Sequence, residues 1–127
     1  MNRLCHYEIL NNQYSKLNID YLYTIELNTT FLISIYSHGF SGYCNFCVHQ
    51  EQLNKIITEL NKMYNMLSGK CVIRDNDSDS FVYFKLINNV LQVNGQLGGS
   101  YNENHMYFQF NTDQTVIKIL LDIFKSW

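Results

Sequence analysis

Proline and alanine are both absent from the 127-residue chain, while asparagine is abundant. We read this as a bias toward A/T-rich codons rather than as a functional signature. Charged residues are sparse at 16%, yet apolar residues reach 46%, a balance that excludes intrinsic disorder. Excess positive charge is also missing. With a net charge of −2, no general attraction to nucleic acid or to an anionic membrane surface is expected. No apolar run approaches the roughly 18 residues of a membrane-spanning helix. The opening MNRLCHYEILNNQ lacks a long apolar segment and a small-residue cleavage site, which argues against a signal peptide and for a cytoplasmic protein. Four cysteines without an extracellular cue read as reduced, packed thiols rather than a disulfide frame. The length suits one domain, residues 1–127, whose core needs no metal or disulfide.

Aromatic residues are plentiful at 15%, with ten tyrosines, and suit half-buried pleated surfaces as well as contact surfaces. The clearest periodic stretch is Gln50 to Leu67. Its apolar residues Leu53, Ile56, Ile57, Leu60, Met63, Tyr64 and Leu67 recur at three-then-four spacing, which places them on one helical face. Glu51–Lys55 and Glu59–Lys62 support the outer face, and Ser68-Gly69 supplies the stop through a left-handed glycine. That helix needs an apolar surface, and most of the remaining chain reads as strand.

Residues 1–19 look polar and irregular, with Cys5 to Leu10 a possible short edge strand and Asn11-Asn12 a turn. Asp20 to Asn28 alternates, with Tyr21, Tyr23, Ile25 and Leu27 on one side. Phe31 to Tyr36 follows across a turn at Asn28-Thr29-Thr30, and Tyr43 to Val48 returns after a turn in His38 to Gly42. Beyond the helix come strands at Lys70–Arg74, Phe81–Ile87, Val90–Leu97 and His105–Phe110. Asn88-Asn89 forms a two-residue turn of the kind that tolerates positive φ. A second amphipathic helix spans 112–125, with Asn111 or Thr112 as N-cap and Val116, Ile117, Leu120, Leu121 and Phe124 as its apolar stripe. The expected class is α+β: a mostly antiparallel sheet of about six or seven strands with two amphipathic helices, 50–67 and 112–125, packed on one face. No internal repeat is visible.

Among motifs that carry chemistry, Cys44-Asn45-Phe46-Cys47 followed by His49 is the most suggestive, with Cys71 and His38 able to complete a metal or redox set. It lies within a strand, however, where residues three apart face opposite sides of the sheet, so structural thiols are the preferred reading. Asp75, Asp77 and Asp79 alternate as in a calcium loop, but the sixth position is Ser80 rather than glycine and the twelfth is Leu86 rather than glutamate. A solvated turn that blocks edge pairing is preferred there, with docking of a basic partner as a further use. Ser68-Gly69-Lys70 lacks the upstream glycine of a phosphate loop, and Gly95, Gly98 and Gly99 do not lie between a strand and a helix. Gly95 instead marks a bulge or a close backbone approach. The histidines 6, 38, 49 and 105 are scattered, and no catalytic spacing emerges.

The helix LNKIITELNKMYNML ends in Ser-Gly, and a short strand and FVYFKLINNVLQVNGQLGG follow it. After a gap comes HMYFQFNTDQTVIKILLDIF. This order resembles small bacterial immunity proteins of the WapI-like kind, which are encoded beside polymorphic contact-dependent toxins. The resemblance covers Tyr21 to Phe124, with Val93-Asn94-Gly95 and Phe108 to Thr115 as its most specific pieces. It implies a non-enzymatic protein without cofactor or metal that binds and neutralises a cognate toxin protein in the cytoplasm of the producing cell. It carries over no binding residue. From charge and composition alone, the expected protein-binding residues are Asp75, Asp77, Asp79, Tyr83 and Tyr101. A homodimer pairing open sheet edges, and a small ligand-binding α+β domain, are the alternatives.

Overall fold

The computed structural model describes residues 5–99 and 103–127. Eight strands and two helices follow one another as β1 (Cys5–Asn11), β2 (Ser15–Ile25), β3 (Asn28–Ser37), β4 (Phe40–His49), α1 (Gln50–Met66), β5 (Gly69–Arg74), β6 (Phe81–Ile87), β7 (Val90–Gly98), β8 (His105–Asp113) and α2 (Thr115–Lys125). The α+β class and the antiparallel pairing are as expected. The strands divide into two four-stranded meanders, β1-β2-β3-β4 and β5-β6-β7-β8, rather than one sheet of six or seven. Each meander runs straight into a helix, so the molecule is two successive ββββα halves, a repeat of architecture without an evident repeat of sequence.

The helices cross between the halves. α1 packs on β5, the first strand of the second sheet, and on α2, while α2 also reaches β1, the first strand of the first sheet. The sheets meet where β4 touches β7 and β3 touches β8. One buried cluster draws on all ten elements, with Phe31, Phe46, Phe84 and Phe124 among its largest fully buried side chains. Alternation decides which side of each strand joins it: Leu17 and Ile19, Phe31 to Ile35, Phe46 and Val48, Val82 to Leu86, and Leu91 and Val93 point inward at every second position.

Several local departures from expectation have identifiable causes. Residues 15–19 are strand rather than irregular, joined to the expected first strand by a turn at 12–14, because Ser15, Leu17 and Ile19 alternate inward and pair with Ser37, Ile35 and Ile33. The β2–β3 turn lies at Glu26-Leu27, with Glu26 at φ 57°, and Thr29 and Thr30 are buried strand residues rather than turn. A bulge between Tyr21 and Tyr23 shifts the phase of β2, so Tyr23, Ile25 and Leu27 are exposed instead of sharing an inward stripe. α1 is closed by Leu67, which itself adopts the left-handed conformation (φ 54°, ψ 30°) and donates its N–H to Met63 O. α2 begins at Thr115 because β8 stays paired through Asp113 with Val90. Neither Asn111 nor Thr112 caps that helix; Asp113 Oδ1 accepts the Thr115 N–H and hydroxyl. Those bonds favour the charged form and hold the Asp113 carboxyl below its usual range, the hydroxyl bond being the larger cause.

Candidate functional site

The acidic segment between β5 and β6 is built into the fold. Asp75 Oδ1 accepts the backbone N–H of Cys47 at 2.9 Å and of Asp77 at 3.2 Å, and its Oδ2 lies 2.6 Å from the Ser78 hydroxyl. The neighbouring Asn76 side chain exchanges two hydrogen bonds with Gln52 of α1, at 2.9 and 2.8 Å, and the Asn76 N–H reaches Cys47 O. Ser80 is buried. Its hydroxyl accepts the Gly98 N–H at 2.8 Å and lies 3.2 Å from Cys44 Sγ. This loop therefore ties the end of β4 to α1 and β7. Asp75 has spent its oxygens on that role, whereas Asp77 and Asp79 remain exposed.

The CxxC residues separate as alternation requires. Cys44 shares the parity of the inward-facing Phe46 and Val48, and Cys47 takes the other side of β4. Cys71 is buried beside Ile56 O, and burial, reinforced by the Glu59 charge, pushes its thiol up to about 12. A thiol so reluctant to ionise is a poor nucleophile or ligand. All four cysteines are free.

Each histidine has its own local task. His49 caps α1: its Nδ1 accepts the Glu51 N–H, and Gln52 Oε1 accepts the His49 N–H. His38 occupies the β3–β4 turn at φ 50° and stacks on Tyr14. His105 bonds to Glu103 O and meets Tyr107 edge-on. His6 pairs with Asp20 at 2.5 Å, a contact made by the β1–β2 register that no sequence spacing announces. Among the described residues, no three His, Cys, Asp or Glu side chains gather as a metal site. No described helix is long and apolar enough to cross a membrane.

The exterior carries more unused chemistry than the interior. Phe40, Tyr43 and Tyr107 are 72%, 75% and 71% exposed. Tyr83 is half-buried on the outward side of β6, opposite Val72 and Asn94, and Tyr101 lies outside the described residues. Between α1 and α2 runs an apolar groove of about 370 Å³ lined by Met63, Tyr64, Leu67, Ile117, Lys118 and Ile119. Lys118 Nζ sits over the Tyr64 ring and bonds Asp122 at 2.9 Å; that hydrogen bond and charge raise its pKa. Helical periodicity exposes the stripe on each helix but not the groove, which depends on how the two helices cross.

Comparison of the chain with protein-family models, with curated proteins and with solved structures gave no match.

Proposed function

We propose that this protein is a non-enzymatic binding protein that neutralises a cognate bacterial toxin domain in the cytoplasm of the producing cell. The observation that carries the reading is the exposure of Phe40, Tyr43 and Tyr107 on a chain whose His49, Cys71 and Asp75 are occupied in building the fold. Tyrosine and phenylalanine are enriched at protein interfaces because they offer large, rigid contact area with little rotamer freedom to lose. The resemblance of Tyr21 to Phe124 to WapI-like immunity proteins supplies the partner class. Exposed Asp77 and Asp79, with Tyr83 on the adjoining sheet, form the acidic side of the contact surface.

The test is co-expression with the toxin encoded beside the gene. A stoichiometric complex that survives moderate salt, together with protection of cells from the toxin, is the expected result. A neighbourhood without a toxin gene, or cells left unprotected, would overturn the proposal. A second reading, a homodimer, draws on the apolar groove between α1 and α2, a surface of the kind that subunits cover. Sedimentation showing a monomer across micromolar concentrations would exclude it.

A further inference from the structure

Two adjacent cross-strand rows on the outward side of the first sheet, one of them ending in the exposed Tyr43, carry a polar hollow. The register sets Lys16 opposite Tyr36 and Tyr36 opposite Ser41; the next row sets Asn18 opposite Ser34 and Ser34 opposite Tyr43. A hollow of about 280 Å³ lies over these six side chains. It contains one ammonium, four hydroxyls and one carboxamide, and no carboxylate.

Lys16 Nζ rests 5.6 Å from the centre of the Tyr36 ring. Among the described residues only His6–Asp20 and Lys118–Asp122 form ion pairs, so Lys16 makes no ion pair here. Two acids flank these rows. Glu8, opposite Asn18, accepts the Asn11 side-chain N–H, and Asp20 is held by His6. A cation flanked by hydroxyl donors and two aromatic walls, with the local acids turned to other partners, is complementary to an incoming carboxylate. Hydrogen bonds in which both partners are charged are the strong ones.

We propose that this hollow receives an aspartate or glutamate side chain of a partner protein. The inference rests on the protein-binding reading and deepens it. Lys16 and its hydroxyls take an acidic side chain, while exposed Asp77 and Asp79 on the loop between β5 and β6 are available to basic ones.

The test follows backbone amide shifts of the full chain during titration with N-acetyl-glutamate amide, with N-acetyl-glutamine amide as neutral isostere. Saturable shifts confined to residues 16, 18, 34, 36, 41 and 43 are expected with the glutamate probe only. Lys16→Gln should weaken them at least tenfold, and Lys16→Arg should largely keep them. Lys16 is exposed, so the fold should survive both changes, as circular dichroism would verify. Equal responses to both probes, shifts elsewhere, or an unaffected Lys16→Gln variant would overturn the proposal. Tighter binding of inorganic phosphate to the same residues would also overturn it, by assigning the hollow to a free anion. The titration needs no toxin, so failure to form a toxin complex bears on the functional reading alone. A toxin complex of unchanged affinity in Lys16→Gln would remove the hollow from the interface and leave that reading standing.

Discussion

Replacing Gly95 by alanine should be among the most damaging single-methyl additions available in this chain. Gly95 is buried in β7 opposite Val82 of β6, and a Cβ placed there would lie 2.1 Å from Phe81 O and 3.0 Å from Phe108 Cζ. The first obstacle is backbone, within a strand pair that runs without a break from Phe81↔Gln96 to Ile87↔Val90, so no rotamer change relieves it. The strands must part by about 1 Å, and overpacking of this sort costs about 1–3 kcal/mol, with the upper end expected where backbone has to move. For a urea slope of about 1–3 kcal/mol/M, the midpoint should fall by about 1–2 M with little change in slope. Gly39→Ala is the control. Its Cβ would meet nothing within 4 Å, but φ is +93°, so only backbone strain of about 1 kcal/mol is expected. Adding Phe108→Leu to Gly95→Ala should not restore stability, because the Phe81 carbonyl remains. A Gly95→Ala midpoint within 0.3 M of wild type (roughly 0.5 kcal/mol on that slope), or full rescue by Phe108→Leu, would refute the reasoning.

Three further outcomes follow from local geometry. Leu67→Gly should stabilise the protein by about 0.5–1 kcal/mol, read as a rise of several degrees in thermal midpoint, because Leu67 is left-handed yet 49% exposed and returns little burial for its strain. Asp75→Ala should cost about 1–3 kcal/mol in chemical denaturation by stranding the Cys47 N–H, the Ser78 hydroxyl keeping Ser80 as partner, while Asp77→Ala and Asp79→Ala stay within about 0.5 kcal/mol. The raised Cys71 thiol predicts a pH effect of definite sign. Its ordinary value is 9.0 and its folded value about 12, so the unfolded chain loses that proton first. The stabilisation is complete below pH 9 and is lost as pH rises from 9 toward 12. Cys71→Val should flatten that part of the stability profile, and an unchanged profile would contradict the assignment.

The histidines illustrate why spacing alone misleads about sites. His49 looks like a ligand beside CxxC, but it is the last residue of β4 and immediately precedes a helix whose first N–H groups need an acceptor. Gln52 three residues on was a readable signal for that role, through the capping-box pattern. His6 and Asp20 carried no such signal, because they meet through strand register across a turn. The Lys16 hollow is equally illegible, since its six residues come from three strands.

Local periodicity determined much of this protein from sequence alone: the helix from Gln50, the strands from Phe31 to Ile87, the Asn88-Asn89 turn at φ 51° and 67°, and the backbone approach at Gly95. Those features depend on residues a few positions apart, where side-chain spacing and backbone sterics act directly. The tertiary structure decided the division into two ββββα halves, the crossing of each helix to the other half, the phase shift that exposes Ile25, and the closure of the acidic loop on Cys47 and Gln52. Each of those depends on contacts between residues far apart in the chain, chosen by how the whole apolar surface is buried at once, and no short window of residues contains that choice.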